Sequence, residues 1–292
     1  MTIHALTIDV EDAASIGMRD LFEVEYLPTD AVVRNTDRVL EILSLHGVRG
    51  TFFVLGEVAE RFPSLVRRIA KAGHEIGIHG YTHRQFFKLN RKQAFTEIGD
   101  AKHLIEDIVS EPVYGHRAPA FSIRPDTAWA LEVIAEAGFS YDSSIVPIKG
   151  RRYGWPGIDP SIHRMALANG KTLIQAPIPS VCIMGNRLPA CGGGYLRHFP
   201  YWFTKWAMCR IGRQRPVIVY MHPYELDLEP MPDEFRFRLS TADRHKKRFM
   251  KLQFRNRRTV PHKIERLLSE FDFLPLAEVI QREIKVKGVS HI

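Results

Sequence analysis

The feature that most limits what this chain can fold into is an alternation. Short β-branched and aromatic runs trade places with amphipathic helical runs through the first 225 residues. The polar residues of interest fall at or just after the ends of the strand-like runs. Residues 4–10 read as a strand and lead into Asp9-Val10-Glu11-Asp12. Residues 30–45 carry Val32, Val39, Leu40 and Leu43 at helical spacing and stop before Gly47. A strand over 51–55, a helix over 57–72 interrupted by Pro63, and a strand over 75–79 follow. Next come a helix over 91–109, a strand over 113–116, a helix over 126–137 and a strand over 139–141. Strands alternating with helices of this length predict an α/β fold with a parallel sheet and crossover helices. The carboxyl ends of such strands lie on one side of the sheet. Asp9, His79, Arg117, Asp142 and His222 are therefore expected at one mouth. The pattern suits a barrel and a doubly wound sheet alike.

Beyond residue 148 the regularity weakens. Residues 149–160 read as a loop, Gly192-Gly193-Gly194 as a turn or close backbone approach, 217–221 as a buried strand and 261–271 as a helix. At 292 residues the chain is within the range of one α/β barrel. No apolar run reaches the ~20 residues of a membrane-spanning helix. The start, Met1-Thr2-Ile3-His4, has no basic region followed by an apolar stretch, so no leader is expected. Cys182, Cys191 and Cys209 lack paired spacing and fit a reducing cytoplasm rather than a disulfide scaffold. The net charge of +8 is concentrated in residues 244–258, which hold Arg244, Lys246, Lys247, Arg248, Lys251, Arg255, Arg257 and Arg258 and no acid. Such a block suits an anionic membrane surface, a lipid-linked phosphate or an acidic glycan, or is a solvated basic face. No motif supports nucleic acid, and none is expected as partner. A cytoplasmic protein, working at the inner membrane face, is the expectation.

His79 and His83 have H-x-x-x-H spacing. On a helical turn residues four apart share a face, so both imidazoles can meet one cation. Asp9, Glu11 and Asp12 crowd one strand end, which is costly unless something cationic holds them. Strand alternation puts Glu11 on the face of Asp9, whereas a turn after Val10 favours Asp12. Two histidines and one carboxylate leave coordination positions for water and substrate, the layout of a hydrolytic metal site. Arg117 suits a carboxylate partner, and His222 suits a general acid.

These strings resemble the polysaccharide deacetylase family, carbohydrate esterase family 4, with its NodB-type catalytic domain. Thr51-Phe52-Phe53-Val54-Leu55-Gly56 and Gly73-His74-Glu75-Ile76-Gly77-Ile78-His79-Gly80-Tyr81-Thr82-His83 are similar to its second strand and metal-binding motif. Arg117-Ala118-Pro119 is similar to its R-x-P motif, and Met221-His222 to its late histidine. Further strings, such as Tyr141-Asp142-Ser143-Ser144-Ile145 and Gly192-Gly193-Gly194-Tyr195, resemble a subgroup linked to bacterial exopolysaccharide loci with a C-terminal extension. The resemblance spans roughly residues 3–228, the expected catalytic domain (1–228), with 229–292 as a basic extension packed on it.

The resemblance implies a distorted seven-stranded β/α barrel and a divalent metal. Zn2+ is the first choice, with Co2+, Ni2+ or Mn2+ as alternatives. It implies Asp9 as catalytic base, His79 and His83 as ligands with Asp12 or Glu11, and Arg117 orienting Asp9. It further implies the Ala120 backbone N–H at the oxyanion and His222 as acid toward the leaving amine. The implied reaction removes an N-acetyl group from an amino sugar in a polysaccharide, oligosaccharide or lipid-linked glycan precursor. Tyr153, Trp155 and Tyr195 are candidates for the sugar groove. The family's adjacent acid pair is split here by Val10, and Gly80 replaces its hydroxyl residue. No D-W motif precedes His222, which leaves Asp142 as the candidate partner for that ring. The alternatives are a metal-independent, allantoinase-like opening of a small cyclic amide on the same scaffold, and a glycan-binding protein without turnover.

Overall fold

The computed structural model describes residues 2–150 and 152–286. Its strands are β1 (His4–Val10), β2 (Thr51–Val54), β3 (Glu75–Ile78), β4 (Gly115–His116), β5 (Tyr141–Asp142), β6 (His163–Ala166), β7 (Thr172–Gln175), β8 (Ser180–Ile183), β9 (Asn186–Pro189), β10 (Ile218–Met221) and β11 (Phe273–Leu274). The helices are α1 (Ala13–Phe22), α2 (Asp30–Leu45), α3 (Gly56–Arg61), α4 (Pro63–Lys71), α5 (Arg91–Val109), α6 (Trp129–Glu136), α7 (Gly193–His198), α8 (Tyr201–Gly212), α9 (Asp233–Thr241), α10 (Arg244–Phe254), α11 (Val260–Glu270) and α12 (Leu276–Val286).

The main sheet runs β10-β1-β2-β3-β4-β5-β7-β6, and every pair from β10 to β7 is parallel. That is the seven-stranded parallel core of a curled, barrel-like α/β fold. β6 closes one edge antiparallel to β7. Among the described residues no ladder joins β7 to β10, and the free side of β10 meets an isolated parallel bridge from Gly192 to Tyr220. From β1 to β5 spatial order follows chain order, as in barrels, and the strands' carboxyl ends share one rim.

Local chemistry explains the boundaries. Thr29 caps α2 by accepting from the Ala31 N–H, and Asn90 forms a capping box with Gln93 at the start of α5. The helical pattern over 57–72 breaks where Pro63 removes a backbone donor, giving α3 and α4. An outer core lies between sheet and helices, with Phe52, Leu55, Leu65, Ile69, Ile98 and Ile105 among its members. A smaller inner core fills the curl with Phe53, Tyr141, Ile174 and Ile218.

The segment after residue 228 is woven into this body. β11 pairs with β1, and Leu276, Val279 and Ile280 of α12 join the inner core. The α12 N-terminus sits on a buried polar cluster. Leu276 N donates to Thr51 Oγ1 at 2.7 Å and Ala277 N to Glu75 Oε2 at 3.0 Å. Lys263 of α11 donates to the carbonyls of Leu196, Arg197 and Phe199, where the C=O groups left over at the end of α7 favour a cation. The basic stretch 244–258 is helical over α10, with Met250 buried and Lys247, Arg248 and Lys251 exposed.

Candidate active site

The site grows from the β1 alternation. Thr7, Asp9 and Glu11 point the same way because alternate residues of a strand share a face. Thr7 and Asp9 meet Arg117, and Glu11 meets both imidazoles. Glu11 Oε1 lies 2.9 Å from His79 Nε2 and 3.1 Å from His83 Nε2. All three residues are buried, and their donor atoms fall within 4.8 Å of one another. His79 Nδ1 donates to the Arg117 carbonyl at 2.8 Å, which leaves its Nε2 lone pair for a ligand. The three groups thus form a donor set that fits a divalent cation: two imidazole nitrogens and one carboxylate, held in place by the surrounding hydrogen bonds. Burial works against the charge of Glu11, but the imidazoles of His222, His83 and His79 hold its carboxyl well below the usual range.

Two expectations change here. The histidines are not on a helical turn. They flank an irregular loop after β3 in which Gly80 has φ 82° and His83 φ 59°. The left-handed backbone at residue 80 favours glycine over the serine or threonine of the resembled motif, and a Cβ there would lie 3.2 Å from Pro119 Cγ. Asp12 is not in the donor set either. Its Oδ1 caps α1 by accepting from Ser15 N at 2.7 Å, and its Oδ2 accepts from Thr29 N at 3.1 Å and Thr29 Oγ1 at 2.6 Å. Helix capping takes Asp12 out of reach, and alternation along β1 delivers Glu11 instead.

Arg117 is fully buried. It donates from Nη1 to Asp9 Oδ1 at 2.7 Å and to Thr7 Oγ1 at 2.8 Å, and from Nε to the Ser143 carbonyl at 3.0 Å. Its guanidinium carbon is 4.3 Å from the centre of the Phe53 ring. That ring fits because Gly77 has no side chain: a Cβ there would come within 2.5 Å of it. Asp9 Oδ2 faces His222 Nε2 at 3.9 Å.

His222 follows β10, stacked on Tyr224 with ring centroids 4.9 Å apart. Its partner is Glu225, whose Oε2 is 3.4 Å from Nδ1 and accepts from the His222 N–H at 3.0 Å. Glu225 Oε1 is in turn 3.0 Å from Arg197 Nη1, with both side chains buried. Burial alone would depress His222, but the carboxylates of Glu11, Glu225 and Asp9 outweigh it and push its pKa up to about 9. Asp142 does not serve this ring. Its Oδ1 pairs with His116 Nδ1 at 2.8 Å, and its Oδ2 accepts from Ser144 N at 3.1 Å. Ser144 Oγ accepts from Ala118 N at 2.7 Å, so Asp142 braces the loop that carries Arg117. The β4–β5 pairing brings it there. The sequence held a signal for Glu225: a carboxylate three residues after His222, with Pro223 between, is the spacing of a helical capping turn.

Ala120 and Phe121 have φ of 53° and 52°. Two successive left-handed residues are strained and turn backbone donors outward. The Ala120 N–H has no protein acceptor among the described residues. Ala120 lines a cleft of about 370 Å³ together with Glu11, His83 and His222. Tyr153 and Tyr195 line this cleft, their hydroxyls 2.5 Å apart. Trp155 does not. It is partly buried against the outer core, and its backbone N–H donates to the Val146 carbonyl. One wall was not legible in the sequence: Phe249, Leu252 and Phe254 of α10, facing Ile16 and Leu21 of α1.

Comparison with known proteins agrees with this architecture. Residues 23–141 match the family model described as "Polysaccharide deacetylase", and residues 143–281 match "Domain of unknown function (DUF3473)". Asp9 and Glu11 precede the first match, so geometry alone places them with the histidines. A peptidoglycan-N-acetylglucosamine deacetylase of Bacillus cereus is 31% identical over 155 residues, 52% of this chain and 54% of that protein. A chitooligosaccharide deacetylase of Sinorhizobium fredii is 32% identical over 125 residues, 42% of this chain and 56% of that protein. The chain thus spans about half the length of these curated relatives. A solved Mycobacterium smegmatis protein, provisionally described as a polysaccharide deacetylase, superposes with a TM-score of 0.64 at 20% identity, covering 99% of this chain and 91% of that one, which speaks for the fold. The curled sheet has the fold of that solved protein, and the stretch over 23–141, which contains both histidines of the rim, is a polysaccharide deacetylase domain by its family match.

Proposed function

We propose that the protein hydrolyses the N-acetyl group of an amino sugar within a glycan, releasing acetate and a free amine. The observation that carries this reading is the junction of two constellations in one cleft: the Glu11, His79 and His83 donors, and beside them Asp9 with Arg117 and His222. The relatives act on N-acetylated glycans by name, and the cleft has an aromatic lining suited to sugar faces.

Glu11, His79 and His83 would hold the cation, and zinc suits two imidazoles and a carboxylate best. When bound, such an ion polarises the acetyl carbonyl and makes a water molecule more acidic. Asp9 takes the proton of the attacking water at Oδ2, the oxygen Arg117 leaves free. The Ala120 N–H donates to the oxyanion as the carbonyl carbon becomes tetrahedral. His222 enters the reaction protonated and donates from Nε2 to the departing nitrogen, while Glu225 and Arg197 fix the ring from the other side. Tyr153 and Tyr195 orient the sugar.

The test is acetate release from N-acetylglucosamine oligosaccharides by protein carrying a divalent metal, by protein stripped with a chelator, and by His79→Ala. Acetate is expected from the first sample alone. Undiminished release by the other two, or release of ring-opened product from a cyclic ureide in place of acetate, would overturn the reading.

A further inference from the structure

Helix α8 carries its unusual chemistry on the outside. Thr204, Ala207, Met208 and Ile211 are buried. Trp202, Lys205, Trp206, Arg210 and Arg213 are exposed along its opposite face and end, at helical spacing. Trp202 is 68% and Trp206 41% exposed. A single exposed apolar residue needs no explanation, but two tryptophans one turn apart, interleaved with cations, do.

The β8–β9 hairpin packs against α8 and adds a second observation. Its turn residues, Met184 and Gly185, have φ of 49° and 78°. Positive φ at both turn positions is the pattern of a type I′ hairpin, where the first position ordinarily goes to Asn, Asp or Gly. Met184 bears that strain and is 95% exposed, with Arg187 and Leu188 also exposed beside it on β9. Charge points the same way. From Pro160 to Tyr224 the sequence has no Asp or Glu, against eight Lys and Arg. Lys205 pairs with Glu270, while Arg210 and Arg213 have no carboxylate partner among the described residues.

We propose that the outer face of α8 and the tip of the β8–β9 hairpin dock on an anionic lipid bilayer. Trp202 and Trp206 would sit at headgroup depth, Met184 and Leu188 would enter the acyl boundary, and Lys205, Arg210 and Arg213 would meet acidic headgroups. The apolar hairpin tip favours a bilayer over nucleic acid, which would take cations and stacking rings but offers the exposed Met184 side chain no apolar phase to enter. The surface is also continuous with the cleft. Tyr195 stacks on Phe199 at 6.0 Å, Phe199 meets Phe203 at 4.4 Å, and Phe203 contacts Trp206 at 5.5 Å. Docking would bring the mouth of the cleft near the bilayer. This inference does not rest on the deacetylase reading.

The experiment is co-sedimentation of the full chain with vesicles of phosphatidylcholine alone and of phosphatidylcholine mixed with phosphatidylglycerol. Binding is expected to the anionic vesicles only, and it weakens with salt. K205Q/R210Q/R213Q reduces it by about tenfold or more, in line with the per-residue worth of interfacial cations, and W202S/W206S reduces it by about as much through the lost apolar area. Met184→Asn also reduces it while melting no lower than the parent, because Asn suits the turn, so failure to fold cannot mimic the result. The proposal fails if neutral vesicles bind equally, or if all three variants bind like the parent. It also fails if only K247Q/K251Q on α10 releases the protein. Binding to single-stranded RNA with none to vesicles refutes it, as does a dimer broken by W202S/W206S without vesicle binding.

Discussion

The split assignment of Glu11 and Asp12 makes the sharpest test, because the two carboxylates are adjacent and do different work. Removing the Asp12 side chain loses an N-cap, worth about 1 kcal/mol. It also loses two hydrogen bonds to Thr29, each contributing about 1 kcal/mol net. Part of this is returned, since burial raises the pKa of Asp12 and its charged form is the costly one. The expected loss in Asp12→Ala is about 2 kcal/mol, or a fall in Tm of roughly 4–8 °C for a protein of this size. Asp12→Asn keeps a capping oxygen and sheds the desolvated charge, so its cost stays below about 1 kcal/mol. The sign follows from the raised pKa: the stability Asp12 adds through protonation is present at low pH and is lost as pH rises through its folded value, so the Asn variant compares best at neutral pH. Neither Asp12 variant is expected to change metal content. Glu11→Gln is expected to keep the fold and to weaken metal binding by more than about 100-fold, beyond the 10–100-fold typical of outer partners. The assay pairs thermal melting with elemental analysis and competition against a chromogenic chelator. Metal lost in Asp12→Ala at unchanged Tm, or metal retained in Glu11→Gln, would refute the reasoning.

Further outcomes can be measured with the same material. Asp9→Asn is expected to keep its metal and lose about 10³-fold in kcat, within the range for general-base catalysis; activity within threefold or so of the parent would remove Asp9 from that role. Glu225→Gln takes away a carboxylate that raises the pKa of His222, so the alkaline limb of kcat moves to lower pH, because the acid must be protonated to donate; an unshifted limb would count against the His222–Glu225 pairing. His4 and His74 are depressed to about 4 by burial, and their Nδ1 atoms accept the Val217 and Gly50 N–H groups. Their stability contribution is present above the unfolded value near 6.5 and is lost as pH falls toward 4, so urea midpoints at pH 7 and pH 5 differ less in the His4→Gln/His74→Gln variant than in the parent. Tyr195→Phe is expected to raise KM more than it lowers kcat, since its hydroxyl orients the cleft through Tyr153 and touches no reacting group.

Much was legible in the chain itself. β-branched and aromatic runs marked β1, β2 and β3, which are buried on both faces, and period-3.6 patterns marked α2 and α5, which each bury one face against the core. Strand ends identified the rim on which Asp9, His79, Arg117 and His222 meet, since a parallel sheet leaves them nowhere else to converge. What stayed hidden depends on contacts between segments far apart. Whether Glu11 or Asp12 faced the imidazoles turned on a cap bond to Ser15 and on Thr29. Glu225 stands where Asp142 was expected, because β5 pairs with β4 and carries Asp142 to His116, while a three-residue turn returns Glu225 to His222. The α10 wall of the cleft belongs to a run that reads as basic, and its apolar positions gained meaning only when Lys263 and Gln253 tied that region to α7. Local sequence sets periodicity and turn chemistry over a few residues. The direction a polar side chain finally takes is set by whichever distant donor or acceptor satisfies it once water is gone, and tertiary structure alone brings those partners together.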